Sequence, residues 1–251
     1  MSIKRKIKVS FLNNFLILKD FFLTKSSLKI IYLFYSSKLK KRKKIRKYNK
    51  QKIQFQNSIK TLHHDSDWFS HNIPFWISYF DELSINKASK LNYLEIGSWE
   101  GLSAFFILNY FENAQIICVD TWCGGAEHQN KYNFDKIETN FDYNTKFFKE
   151  RLTKFKGTSY KFFEQNNLFE FFDFIYVDGS HYCDDVLIDA LKSFQLLKVG
   201  GIIIFDDFIG WDNGDHPKLR PLGALDAFLK LKKNSYKIIE VSHQLTLQKI
   251  M

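Results

Sequence analysis

The stretch YLEIGSWEGLSA, residues 93–104, limits the possible folds of this chain more than any other. An apolar run of strand character carries an acid at Glu95, breaks at Gly97, and resumes as an apolar helix after Gly101. Glycine at those two places permits a sharp turn and a close approach to the backbone. A second apolar run, AQIICVD, ends in Asp120 about one strand–helix–strand unit later. Two such runs describe the carboxyl edge of a parallel sheet with a crevice for a nucleoside. The glycine loop would lie beneath the ligand and the second carboxylate on its ribose hydroxyls. The spacing is E-x-G-x-x-x-G, with Trp99 where a dinucleotide fingerprint needs its middle glycine. A bulky indole is a poor neighbour for a pyrophosphate, which counts against a nicotinamide dehydrogenase and for a smaller, uncharged ligand region.

Periodicity extends this edge along the chain. It predicts helix over 73–88, strand over 93–96, helix over 102–110, strand over 115–120 and helix over 140–155. A weakly marked third strand is expected near 155 or over 160–163. Strand 172–177, helix 183–197, strand 201–205 and helix 223–232 follow. The closing strands, 236–241 and 244–250, are too near each other for a helical crossover and must form an antiparallel hairpin.

Two strand ends concentrate the chemistry. FDFIYV leads into Asp178-Gly179-Ser180-His181, and GGIIIF into Asp206-Asp207. Neighbouring strands of a doubly wound sheet deliver such residues to one crevice, so three carboxylates and an imidazole are expected together. Clustered carboxylates resist ionisation unless a cation holds them, and oxygen ligands favour a hard ion, Mg²⁺ first. His181, with an ordinary pKa of about 6.5, is suited to accept a proton. His216 in GWDNGDHPK is a rival base, and Glu127 and His128 are candidates for the mouth of the crevice.

The net charge of +10 divides unevenly: residues 1–60 carry 18 of the 37 Lys and Arg and one acid, Asp20, while the remainder is net −7. The reading is therefore a basic, partly amphipathic extension over 1–60 and an acidic catalytic domain over 61–251. An acidic domain argues against a nucleic-acid substrate. Within the extension, FLNNFLILKDFFL (11–23) approximates one helical face, a second apolar piece spans 28–35, and 38–50 holds nine basic residues in thirteen. Neither apolar piece reaches the roughly 20 residues that span a bilayer. Asn13 and Asn14 break the first piece and no small-residue cleavage site follows, against a signal peptide. The extension reads either as a peripheral anchor on anionic membrane or as a helical cap ending in a solvated linker. Cys118, Cys123 and Cys183 offer neither a disulfide framework nor a zinc pattern, so a reducing cytoplasm, with the inner membrane face as a variant, is the expected compartment.

The block from 172 to 208, with D-G-S-H, a helix, L-L-K-x-G-G and a strand ending in acid, is the most specific motif. With YLEIGSWEG and CVDTW it resembles the class I S-adenosylmethionine-dependent methyltransferases. Within them it looks like the methyltransferase 24 type family of bacterial sugar and natural-product O-methyltransferases, over residues 91–250. The resemblance implies an α/β, Rossmann-like fold: a mostly parallel seven-stranded sheet closed by the hairpin. It implies that Glu95, Gly97, Gly101 and Ser103 line the amino-acid end of the cofactor, that Asp120 takes the ribose and Ser159 lies near the adenine. Asp178 would border the same site. Asp178, Asp206 and Asp207 match the places where related enzymes hold a metal. The implied activity is O-methylation of a hydroxyl on a glycan, polyol or related small molecule, with S-adenosylmethionine, Mg²⁺, and His181 and Asp178 as catalytic groups. The rivals are a nucleic-acid methyltransferase using the basic tail and a non-catalytic nucleoside-binding scaffold. Base-amino methylators of this fold commonly carry an N/D-P-P-aromatic turn where this chain has Asp178-Gly179-Ser180-His181. The acceptor's identity and the oligomeric state, an oligomer included, stay open at this level.

Overall fold

The computed structural model describes residues 21, 28–125, 132–209 and 221–251. The expectations for Glu127, His128 and His216, and for all of 11–23 except Phe21 and the helical assignment there, lie outside the described residues. Seven strands form one sheet in the order β3-β2-β1-β4-β5-β7-β6. They are β1 (Lys90–Ile96), β2 (Asn113–Asp120), β3 (Leu152–Lys156), β4 (Phe172–Val177), β5 (Leu197–Phe205), β6 (Tyr236–Val241) and β7 (Leu245–Lys249). The first five run parallel, and β7 is antiparallel to both β5 and β6. The hairpin and the Rossmann-like order expected from sequence are both present. Strand order reverses between β1 and β4, which places a ligand crevice at their carboxyl ends.

Strand alternation sorts side chains into two cores, one on each face of the sheet. Tyr93, Cys118, Phe174, Tyr176, Ile202 and Ile204 join one. Leu94, Val119, Ile175, Val177, Ile203 and Phe205 join the other. On the first face lie α2 (Ile73–Glu82), α3 (Leu102–Tyr110) and α4 (Phe134–Thr145). On the second lie α5 (Ser159–Gln165), α6 (Cys183–Leu196) and α7 (Pro221–Leu231). In α2 every residue from Ile73 to Phe80 is buried, because α1 (Leu28–Ser58) covers its outer side. The basic run 38–50 is therefore helix. It docks through Tyr48, whose hydroxyl donates to Asp81 Oδ2 at 2.7 Å. Lys44 Nζ adds a contact at 2.5 Å with Glu240. No helix among the described residues is long and apolar enough to cross a membrane.

Three expectations need correction. The helix over 73–88 stops at Glu82, because Ser84 takes a left-handed φ of +56°. Ser84 N–H then donates to Asp81 O and Ile85 N–H to Phe80 O, a Schellman closure. The helix over 140–155 instead covers Phe134–Thr145, and Leu152–Lys156 pairs with β2 as an edge strand. Its lysines 154 and 156 reach Glu138 on α4. Residues 160–163 belong to α5, started by the Thr158 hydroxyl accepting from Lys161 N–H. Local pattern is weak in both segments, and non-local pairing decided them.

Candidate active site

Backbone bonds lace the strand tips together. Gly97 N–H donates to Val119 O at 2.9 Å, Asp178 N–H to Ile96 O at 2.7 Å, and Asp206 N–H to Val177 O at 2.9 Å. The loop 97–101 thus shares one edge with Asp120, Asp178 and Asp206. Gly157 N–H donates to Asp120 O at 2.9 Å, which draws Ser159, the first residue of α5, toward the same edge. Three non-glycine residues here hold left-handed φ angles: Trp99 at +47°, Trp122 at +53° and Asp207 at +50°. Such strain persists where surroundings over-determine it, and it gathers at functional sites.

The glycine loop is rigidly held. Asp120 Oδ2 accepts from Ser98 N–H and Trp99 N–H, both at 2.8 Å, and Oδ1 accepts from Trp122 N–H at 2.7 Å. From behind, buried Glu100 accepts from Asn140 Nδ2 at 2.7 Å and from Asp65 N–H at 2.9 Å. The protein itself crowds both glycines: a Cβ at Gly97 would lie 2.0 Å from Asp178 O, and one at Gly101 would lie 2.9 Å from Phe141 Cδ2. Their lack of a side chain is therefore first a packing requirement between strand tips and against α4. Trp99 packs at a tilt against Trp68 and edge-on against Tyr132, at centroid distances of 5.5 and 5.3 Å, an aromatic group at the loop's surface.

Glu95 is fully buried. Its Oε2 accepts from Tyr93 OH at 2.5 Å, and its Oε1 has no partner. Burial pushes its pKa up to about 7, although the bond from the Tyr93 hydroxyl works the other way. Ser103 sits buried in the first turn of α3, and the Ser98 hydroxyl is likewise buried without a partner.

Asp178, His181 and Asp207 form the one group among the described residues whose ligand atoms could hold a metal ion, all within 4.8 Å of one another. His181 Nε2 lies 2.9 Å from Asp207 Oδ2. Burial, then Asp206 and Asp207, hold the Asp178 carboxyl well above the usual carboxylate range. The expected trio of Asp178, Asp206 and Asp207 is corrected here: Asp206 stands outside the group and His181 stands inside it. Both Asp206 oxygens are already engaged. Oδ1 accepts from Asp207 N–H at 2.8 Å, and Oδ2 accepts from Gln244 Nε2 at 2.9 Å and from Tyr176 OH. Tyr176 OH also lies 2.9 Å from Asp178 Oδ2. One phenol has one proton, so Tyr176 can donate to only one of the two carboxylates at a time.

Tyr176 and Gln244 were not foreseen. The signal for Tyr176 was available, because a strand places residues i and i+2 on one face. Tyr176-x-Asp178 and Tyr93-x-Glu95 repeat one device, a buried phenol beside the carboxylate at a strand tip. Gln244 comes from the hairpin, far away in sequence, and had no local signal.

Residues 94–208 match a family model described as a methyltransferase domain. Over those residues, a little under half of its length, the chain is similar to that family. Its fold agrees with solved structures at low identity. An O-methyltransferase from Bacillus cereus, in complex with SAH, superposes with TM-score 0.51 at 15% identity, over 88% of this chain and 100% of that one. The O-methyltransferase TomG from Streptomyces achromogenes, involved in tomaymycin synthesis and solved with SAM, gives 0.53 at 10%, over 80% and 89%. MycE from the mycinamycin biosynthetic pathway, solved with Mg, SAH and mycinamycin VI, gives 0.51 at 17%, over 74% of this chain and 51% of that one. No curated protein sequence matches the chain. The matched segment spans the glycine loop, Asp120, the Asp178–His181 turn and the Asp206–Asp207 pair.

Proposed function

We propose that the chain is an S-adenosylmethionine-dependent O-methyltransferase acting on a hydroxyl of a small molecule, a glycan or polyol in the first instance. The observation that carries this reading is the placement of the Asp178–His181–Asp207 group on the same sheet edge as the Gly97–Asp120 loop. Support comes also from the SAM- and SAH-bound neighbours and from MycE, whose structure holds Mg and a natural product.

The residues present fit the cofactor. Glu95 Oε1 and Ser98 Oγ are buried without partners beside the loop, a cost of about 1–3 kcal/mol each that a bound amino-acid group would relieve. An ammonium group near Glu95 would also favour its ionised form. In this reading Glu95, Gly97, Gly101 and Ser103 hold the amino-acid end, Asp120 the ribose, Ser159 the adenine side, and Asp178 the border with the acceptor. The donor set also fits a divalent cation: Asp178 and Asp207 offer the oxygens that Mg²⁺ prefers, with His181 alongside. When bound, S-adenosylmethionine supplies an electrophilic methyl group, and Mg²⁺ would lower the pKa of an acceptor hydroxyl.

The chain's own residues do the rest. The rigid loop fixes the donor side, so that the acceptor oxygen is aligned by position. His181, oriented through Nε2 by Asp207, takes up the hydroxyl proton, and the paired carboxylate stabilises the imidazolium formed. The test is isothermal titration with S-adenosylhomocysteine: wild type binds and Asp120→Ala does not. Unchanged affinity in that variant would remove the cofactor assignment. For the metal, chelation should abolish turnover and added Mg²⁺ restore it, whereas full activity in EDTA would exclude it.

A second reading concerns α1. Leu28, Tyr32 and Leu39 are 84%, 71% and 85% exposed. At about 100° per residue they share one stripe with exposed Lys43, Arg46 and Lys50, opposite the docked face. An apolar stripe continued by cations suits the surface of an anionic membrane. Liposome co-sedimentation of the full chain should fall on Leu39→Glu substitution, and equal partitioning of both proteins would end that idea.

A further inference from the structure

A cavity of about 570 Å³ opens beside Asp207. Its walls come from α1 (Lys41, Ile45, Lys52), from the start of α2 (His71, Pro74, Phe75) and from the strand tips (Ile209, His243). Positions 41 and 45 precede a kink at Tyr48 and position 52 follows it; all three lie on the side of the helix that carries buried Ile30, Phe34, Tyr48 and Phe55. The basic run therefore has three faces with different fates. Lys44 and Lys47 are neutralised by Glu240, Glu82 and Asp81. Lys43, Arg46 and Lys50 point to solvent. Lys41 and Lys52 face the cavity, and among the described residues neither pairs with a carboxylate.

The carboxylate in the wall, Asp207, is already bonded to His181. His243 Nε2 is held by Asn72 Oδ1 at 2.8 Å, with the His71 ring 5.1 Å away. Lys41 Nζ stands 6.0 Å from the Phe75 ring centre, over the apolar part of the wall. The cavity is thus a cationic recess with apolar patches, and its wall includes Asp207, the residue that orients His181. Cations without carboxylate partners, gathered on one side of a recess that borders the proposed site, recognise an anion on the molecule that enters.

We infer that this cavity is the acceptor subsite and that the acceptor is acidic: a sugar or polyol carrying a phosphate or carboxylate, gripped by Lys41 and Lys52 while a hydroxyl reaches Asp207 and His181. This deepens the O-methyltransferase reading and rests on it. It also gives the basic extension a role inside the site, since α1 supplies one wall and the discriminating charge. Neutral acceptors of the same shape would leave both lysines unanswered.

The test uses the full chain and three probes of matched shape: glucose 6-phosphate, glucuronate and glucose. Isothermal titration at low ionic strength should show binding of one or both acids and none of glucose, and the tighter acid identifies the anion. Lys41→Ala/Lys52→Ala should weaken the acid by about tenfold or more, as expected for losing charged hydrogen bonds. Lys43→Ala/Lys50→Ala, on the opposite face of the helix, should leave it unchanged. Equal losses in the two double variants, equal binding of glucose, or no binding of either acid would each overturn the inference. S-adenosylhomocysteine titrated into the same samples keeps the two failures apart. If wild type does not bind it, the methyltransferase reading falls; if all variants bind it and the acids behave otherwise than stated, only the acidic acceptor falls. Circular dichroism of each variant confirms that the helix is retained.

Discussion

Gly97 and Gly200 hold nearly the same backbone angle, φ +86° and +87°, in opposite surroundings. A Cβ added at Gly97 would lie 2.0 Å from the Asp178 carbonyl oxygen and 2.5 Å from its carbon, whereas one added at Gly200 would meet nothing within 4 Å. Alanine at either position bears the left-handed backbone cost, about 1–2 kcal/mol. Only at Gly97 must the tips of β1 and β4 also part, since neither neighbour is a flexible side chain. Overpacking of that kind adds about 1–3 kcal/mol. Stretching the bond from Asp178 N–H to Ile96 O, 2.7 Å in the native chain, adds about 1 kcal/mol. Gly97→Ala should therefore cost about 3–6 kcal/mol, and Gly200→Ala about 1–2. For a chain of this size each kcal/mol moves Tm by about 2–4 °C. Thermal unfolding followed by circular dichroism should show a loss of roughly 10 °C or more for Gly97→Ala and a few degrees for Gly200→Ala. Equal shifts would refute the reasoning, because backbone conformation alone would then account for both.

Asp189, 2% exposed with an unpartnered Oδ1, should make stability depend on pH. Burial raises its pKa from 3.8 to about 7, with a Ser159 hydrogen bond opposing. The folded chain keeps a proton that the unfolded chain releases at lower pH, so stability falls as pH rises from about 4 to about 7, by up to about 4 kcal/mol. Asp189→Asn should flatten that decline in urea melts, and parallel pH profiles would contradict it. Lys44→Ala strands the nearly buried Glu240 carboxylate, at a cost of about 3 kcal/mol. Lys47→Ala, which breaks the exposed pair with Asp81, should change the urea midpoint little. Similar midpoints for both variants would mean that α1 is not docked through Lys44.

Much of the site was legible because its signals are local. A strand run, a glycine and an acid follow one another in 93–101, and Phe172–Val177 leads directly into Asp178 and His181. Alternation along β4 and β5 suffices to bring those tips together once the sheet is parallel. The segments where structure and periodicity part, 83–88, 146–151 and 160–163, lack strong periodicity, while the strand expected near 155 is present as β3; an αL serine, an edge pairing and a threonine cap settled them. The metal trio was misassigned for a related reason. Asp206 and Asp207 lie in the turn after β5, with Asp207 at φ +50°, so strand alternation does not say which one joins Asp178. Bonds from Tyr176 and Gln244 to Asp206, groups that no spacing rule connects, go with the outcome.

From the amino-acid order alone came the parallel sheet with its terminal hairpin, the nucleoside-type loop, and the clustering of acids with His181, because each follows from hydrophobic period and short-range turn chemistry. Tertiary packing alone decided that Asp206 is taken up by Tyr176 and Gln244 while His181 joins Asp178 and Asp207. It also decided that the basic segment is a docked helix and that two of its lysines face a cavity. Those outcomes depend on contacts between residues up to 196 positions apart, as Lys44 and Glu240 are, and such contacts exist only once the cores on both faces of the sheet have closed.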